Sequence, residues 1–385
     1  MPTTLKSAAC LAAALTAGAL YANPASAQDY VDPLSQSHIA AIDDTLKDVI
    51  ANQGVNTAAI AVIKGGTLAW TGYYGEQAPG VLASARTQFN VASVTKTVSA
   101  ETILRLVDKG ALSLDESMAP YWVDPDIRDD PRHTRLTPRM ALTHTTGFPN
   151  WRFFREDYKL ALEHDPGTTY GYSGEGLQYV AKYAEIKLGK NFEELVLDNV
   201  FEPLGIKHAS FSARAANFKN IAVAITEDGE TPKPYCMPGN KYCVGEGEYS
   251  AAGNMVISLE EYATFLISVM NGEGYSADLI KDRNRVQVTR PVKYCDEEAP
   301  GCPKAQGYGL GWVVVDEAKD KILWHGGSDW SAVTTAYFYQ ESKDGIIIFL
   351  NAPNKFGMDA MPGLIRLLDP TSPIIDQYEL WAARE

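Results

Sequence analysis

Strand-like patterning in this 385-residue chain is confined to its two ends, with a long helical stretch between them. Residues 57–63 read as a buried strand, Lys64-Gly65-Gly66-Thr67 as a turn, and residues 68–74 as the return strand. Strand signals come back only at 310–315, 321–324, 333–339 and 345–350. In between lie helices and long loops. Leu177, Val180, Ala181, Ala184 and Leu188 mark one amphipathic helix. Residues 258–271 mark another, opened by a capping box of Ser258 and Glu261. Ser35 or Ser37 caps a first helix with apolar residues at Ile39, Ile42, Leu46, Val49 and Ile50, and a terminal helix spans about 358–368. Such a chain brings its ends together into one sheet and carries its middle as a mainly helical insertion, an α+β architecture. The expected sheet lobe comprises about residues 30–88 and 246–385, the helical lobe about 89–245, and a pocket belongs at their seam.

The first 27 residues read as an export signal: Lys6 as the charged start, an apolar run from Leu11 to Leu20, and Ala25-Ser26-Ala27 as the cleavage pattern. The apolar run is short for a membrane span, so the processed chain is expected in the periplasm or secreted, with no stable span. Four cysteines remain after processing, Cys236, Cys243, Cys295 and Cys302, and an even count in an oxidising compartment suggests two disulfides. Three pairings are possible; the local one, Cys236 with Cys243 and Cys295 with Cys302, requires the least rearrangement of the chain. A zinc site fits less well, because its usual spacings are shorter and no histidine adjoins either pair. The formal charge of −14, one unit more negative without the signal's lysine, argues against nucleic acid or anionic lipid as a partner. No histidine spacing suggests a metal, and no glycine loop suggests a nucleotide. The sequence sets no oligomeric state.

Three short stretches carry chemistry. In Phe89-Asn90-Val91-Ala92-Ser93-Val94-Thr95-Lys96, Ser93 stands at the mouth of a helix whose apolar side is Val94, Val98, Ile103 and Val107. Lys96, three residues on, shares its face, and the free N–H groups and dipole of the helix start lie beneath the serine. Those are the parts needed for a serine to attack a carbonyl. The second stretch is a glycine-rich loop, residues 166–176, in which Tyr172 can reach across a cleft. An ammonium such as Lys96 nearby would favour its phenolate and make it a proton shuttle. The third is His325-Gly326-Gly327-Ser328 at a strand end. Its paired glycines let a substrate backbone approach, and the Ser328 N–H, with that of Ser93, makes an oxyanion hole. Each stretch also has a plain structural reading: a capping serine with a solvated lysine, an aromatic under a loop, a turn.

Together the three resemble the serine β-lactamase and penicillin-binding-protein superfamily, closest to the branch of class C β-lactamases, their esterase relatives, D-aminopeptidases and DD-carboxypeptidases. The family's serine-x-x-lysine matches Ser93 and Lys96. Its tyrosine-x-asparagine matches at Tyr172 and departs at Gly174. Its lysine-threonine-glycine stands here as His325-Gly326-Gly327. Leu142-Thr143-His144-Thr145-Thr146-Gly147, Phe201-Glu202-Pro203-Leu204-Gly205-Ile206 and Tyr308-Gly309-Leu310-Gly311-Trp312 are similar to family stretches too. The resemblance covers about residues 35–350. It implies a β-lactamase/transpeptidase-like fold with a five-stranded antiparallel sheet flanked by helices and an all-helical lobe.

The expected function is a secreted serine hydrolase that cleaves an ester or amide through a Ser93 acyl-enzyme, without metal or cofactor. Lys96 and Tyr172 move the proton and His325 orients substrate. Gly174, Gly326, Gly327 and Trp151 are candidate substrate contacts, while Phe153 and Phe154 either line an acyl pocket or simply pack. Losing the asparagine and the permanent cation, with a histidine that titrates near neutrality in its place, argues against efficient β-lactam hydrolysis. A small ester ranks first, a D-residue peptide or DD-carboxypeptidase substrate second, a β-lactam third. A non-catalytic receptor for ligand or cell-wall peptide is the reading from another class, motivated by Gly174. His144 is expected only to shape its loop.

Overall fold

The computed structural model describes residues 35–240, 243–290, 306–316 and 320–383. The stretch read as an export signal and the expected Cys295/Cys302 pair lie outside the described residues. Twelve strands occur among those described: β1 Thr57–Lys64, β2 Thr67–Ala78, β3 Val81–Leu82, β4 Gln88–Asn90, β5 Ala209–Ser210, β6 Val256–Ser258, β7 Val288–Thr289, β8 Gln306–Tyr308, β9 Val313–Val315, β10 Ile322–Ser328, β11 Ala332–Tyr339 and β12 Gly345–Asn351. The main sheet runs β3-β2-β1-β12-β11-β10-β9-β8-β7 and is antiparallel throughout. Its centre is five strands of seven to twelve residues, β2-β1-β12-β11-β10, and two- or three-residue strands extend it at either side. The N-terminal β1 pairs directly with the C-terminal β12, Ala59 opposite Phe349 and Ala61 opposite Ile347. β4, β6 and β5 form a second small sheet beside the turn that carries Ser93.

Both faces of the main sheet are covered, which is why β1 and β12 read as continuous apolar runs rather than as alternation. Ala59, Ala61, Ile63, Ile347 and Phe349 point to one face, into a core shared with the helices Thr95–Asp108, Gly174–Leu188 and Leu259–Asn271. Ala58, Ile60, Val62, Ile346, Ile348 and Leu350 point to the other, under the helices Gln36–Asn52, Asn354–Leu368 and Ile374–Ala382. Period-two alternation thus splits each strand between two cores.

Several local expectations change. The strand expected over 310–315 is cut to β9, because Gly311 takes φ +84° and packs where a Cβ would lie 2.2 Å from Ala100. The capping box at Ser258 does not form: Ser258 makes no side-chain cap, and the Glu261 carboxylate instead accepts the Lys207 and His208 N–H groups, each at 2.7 Å. The helix Ile374–Ala382 continues past the terminal helix read from sequence. Ser35, not Ser37, caps the first helix, accepting the His38 N–H at 3.2 Å. The Cys236–Cys243 disulfide is formed.

Candidate active site

Ser93 sits in the one-turn 3-10 helix Ala92–Val94, which runs directly into Thr95–Asp108. Ala92 has φ +44°, an uncommon conformation for a residue with a Cβ. Lys96 is 1% exposed, and its Nζ lies 2.8 Å from Ser93 Oγ and 2.7 Å from the Ala252 carbonyl oxygen. Desolvation lowers its pKa to about 7, so near neutrality a large share is free amine. A neutral amine there donates to the Ala252 carbonyl and keeps its lone pair for the Ser93 hydroxyl proton. The same Nζ stands 4.9 Å from the centroid of the Tyr172 ring.

Tyr172 arrives on a loop whose shape is set by the Leu142–Gly147 stretch. His144 takes φ +55°, accepts the Gly171 N–H on its carbonyl at 2.8 Å and accepts the Ser173 N–H on Nδ1 at 3.1 Å. Its ring packs 4.5 Å from Tyr172 and 4.5 Å from Tyr308, centroid to centroid, so the imidazole is the wedge beneath the phenol. Burial and the Lys96 charge hold its pKa well below the usual histidine range. Ser173 then caps Gly174–Leu188, accepting the Gly176 N–H at 3.0 Å and donating to the Pro149 carbonyl at 2.7 Å. Desolvation pushes the Tyr172 hydroxyl up to about 12, opposed by a weaker hydrogen bond with Ser93. The phenolate expected from sequence is therefore corrected: Tyr172 is a phenol, because loss of water outweighs the Ser93 hydrogen bond and the Arg290 charge that oppose it.

His325 is corrected in the same direction. Burial, then the Lys96 charge, lowers its pKa to about 3, so it is neutral at physiological pH rather than titrating near it. Its Nδ1 lies 2.7 Å from the Gly326 carbonyl oxygen, which can only accept; Nδ1 therefore carries the proton. Nε2 is left as a buried acceptor with no hydrogen-bond partner among the described residues. The two glycines make room for the protein itself. A Cβ at Gly327 would meet Val91 O at 2.4 Å and Ser93 N at 3.1 Å, and one at Gly326 would meet the Tyr378 hydroxyl at 2.8 Å. β10 therefore passes in contact with the turn that carries Ser93. Asp329 N–H bonds to the Ala332 carbonyl at 3.0 Å, so antiparallel alternation turns the Ser328 N–H toward the opposite edge. β9 covers that edge only up to Trp324.

A cleft of about 1230 Å³ opens at Ser93, walled by Trp151, Phe153, Tyr158 and Phe218 and bordered by Cys236 of the disulfide loop. Phe154 is largely exposed outside it. The Gly174 departure has a cause: a Cβ there would fall 2.5 Å from the Trp151 indole. The indole thus fills the space beside Gly174 and stacks on Phe153 at 5.4 Å. Arg152 fixes this aromatic wall through hydrogen-bonded ion pairs to Asp124, Asp126 and Glu175. Residue patterns do not single out Ala252, whose backbone oxygen carries no sequence signature, nor Asn90 and Asp329, which lie 2.7 Å apart beside the turn.

An amine-primed serine at the seam of an antiparallel sheet and a helical body defines a serine hydrolase of the acyl-enzyme class. The sequence model of the beta-lactamase family matches residues 42–369, and the chain belongs to that family. The D-alanyl-D-alanine-carboxypeptidase/endopeptidase AmpH of Escherichia coli (strain K12) is 24% identical over 378 residues, 91% of this chain and 94% of that protein. Protein flp of Staphylococcus aureus (strain MW2) is 20% identical over 82% of this chain, which spans 63% of flp. Among solved structures, an octameric penicillin-binding protein homologue from Pyrococcus abyssi matches with TM-score 0.68 at 20% identity, covering 87% of this chain and 78% of that one. A class C beta-lactamase matches with TM-score 0.70 at 15% identity over 89% of this chain and 98% of its own. Among the described residues, no helix is long and apolar enough to cross a membrane.

Proposed function

We propose that Ser93 is the nucleophile of an ester-cleaving hydrolase that takes substrates with a bulky, largely apolar acyl group. Ser93 Oγ attacks the carbonyl carbon while its proton passes to neutral Lys96 Nζ. The tetrahedral oxyanion is held by the N–H groups of Ser93 and Ser328. Tyr172, as a phenol, relays the proton from Lys96 to the leaving oxygen, and the C–O bond breaks to leave an acyl-Ser93. Water then attacks with Lys96 accepting its proton, the C–O bond to Ser93 breaks as Lys96 returns that proton to Ser93 Oγ, and the free acid departs. The observation that carries this reading is the 2.8 Å contact between Ser93 Oγ and a desolvated Lys96 amine. The choice of ester rests on Trp151 occupying the space beside Gly174, so that no side-chain amide stands at that position, and on His325 being neutral rather than a permanent cation. The oxidised Cys236–Cys243 pair and the N-terminal export pattern support a periplasmic or secreted location, tested by N-terminal sequencing of the mature protein.

A second reading, a carboxypeptidase acting on D-alanyl-D-alanine peptides, is favoured by the end-to-end likeness to AmpH. Turnover of p-nitrophenyl esters of increasing acyl size, D-alanyl-D-alanine peptides and a chromogenic cephalosporin separates the readings. The expected order is esters first, with the S93A variant inactive on all. Fast peptide cleavage with little ester turnover selects the second reading, and an S93A variant that keeps its rate overturns both.

A further inference from the structure

We propose that Asn90 and Asp329 act as a positioning pair that holds the nucleophile turn and the end of β10 at a fixed separation, and thereby sets the distance between the two oxyanion donors. The inference rests on the reading of Ser93 as nucleophile and of the Ser93 and Ser328 N–H groups as the oxyanion hole.

The turn before Ser93 is held in an unfavourable conformation at Ala92, φ +44°, and such strain persists only where surrounding contacts determine it. The contact here is the Asn90 side chain, whose Oδ1 accepts the Ala92 N–H at 2.9 Å, an Asx turn two residues ahead of its own backbone. The other end of the same amide reaches across the seam: Asn90 Nδ2 donates to Asp329 Oδ2 at 2.7 Å. Asp329 follows Ser328 directly, and its Oδ1 accepts the Ser331 and Ala332 N–H groups, both at 2.8 Å, which fixes the hairpin after β10. Asn354 Nδ2 donates to the Ser328 hydroxyl and, at 3.1 Å, to the Asp329 carbonyl, holding the same hairpin from outside. An unbroken side-chain bridge thus runs from the strand entering the nucleophile turn to the residue after the second donor, across 239 positions of sequence. Thr334 Oγ1 donating to Val91 O at 2.9 Å and the bare Cα of Gly327 bring the two backbones together; the Asn90–Asp329 bond adds a directional tie.

The tie has a polarity that can be exchanged. In D329N two amide nitrogens face each other, or one amide flips and gives up its backbone partners. In N90D two carboxylates face each other. In N90D/D329N every bond returns: the carboxylate now at position 90 accepts from the Ala92 N–H and from the amide now at position 329, whose oxygen accepts the Ser331 and Ala332 N–H groups. N90S keeps a hydroxyl cap on the turn while cutting the bridge. Expected for D329N, N90D and N90S is a fall in kcat of about 10–100-fold on a p-nitrophenyl ester, with KM within about twofold, because a small misplacement of the donors is felt in the transition state. Affinity for a boronic acid transition-state analogue should fall in parallel, while that for the product acid holds. The double swap should recover kcat to within about threefold of the unaltered enzyme. Folded single variants with unaltered kcat, or a double swap that stays slow or fails to fold, overturn the proposal. Where D329N or N90D does not fold, N90S decides the matter by the same kcat and KM readout. An active S93A variant, measured in parallel, instead overturns the reading of the site on which the pair depends.

Discussion

Lys96 owes its role to where its Nζ ends, 1% exposed and without a carboxylate partner among the described residues. Its pKa of about 7 lies below the ordinary lysine value near 10.4, so the folded protein releases that proton earlier than the unfolded chain does. Two consequences follow with one sign. With neutral Lys96 as the proposed base, kcat/KM for an uncharged ester should rise with pH through a midpoint near 7, measured by stopped-flow or steady-state assay. Folding stability should also rise across roughly pH 7 to 10, where the unfolded chain holds the extra proton. K96M should lose about 10²–10⁴-fold in kcat and the inflexion with it. The neutral His325 adds no second inflexion between pH 5 and 8.

The element scale explains why motif stretches look as they do. The Leu142–Gly147 loop is the cradle of Tyr172, with Gly147 at φ +82° where a Cβ would lie 2.2 Å from the His164 carbonyl oxygen. The helix Gly174–Leu188 begins with glycine because the loop carrying Trp151 lies on it. G174A should therefore overpack this contact and lower stability by about 1–3 kcal/mol, seen as a drop in thermal midpoint. W151A in the same chain should remove most of that loss. A G174A variant as stable as the unaltered protein would show that the indole moves aside freely.

Across the whole molecule, the helix that follows Ser93 is fastened to the sheet edge by one buried carboxylate. Glu101, fully buried, accepts the Trp312 indole N–H at 2.7 Å, faces Arg283 at 3.3 Å and accepts from the Tyr275 hydroxyl. It thereby joins Thr95–Asp108 to the helix Ala277–Arg283 and to the Tyr308–Trp312 stretch, which also wedges Gly311 against Ala100. E101Q leaves the Arg283 guanidinium without its counter-charge in the interior and should cost about 3–5 kcal/mol in equilibrium urea unfolding. A loss below about 1 kcal/mol would mean that water reaches Arg283.

Period-two and helical patterns by themselves determined the strands at both ends and the helical middle, because burial periodicity is a local property of a chain; residue types at motif spacing, with the family resemblance, marked the Ser93, Lys96 and Tyr172 stretches. Tertiary structure decided the rest. It decided that Ala252 holds the lysine amine, that Trp151 fills the space beside Gly174, that Glu261 leaves its helix cap for a neighbouring loop, and that Asn90 meets Asp329. It also reversed the ionisation read for Tyr172 and His325: a side chain's charge depends on how much water its three-dimensional neighbours exclude, and adjacent residues along the chain do not specify that.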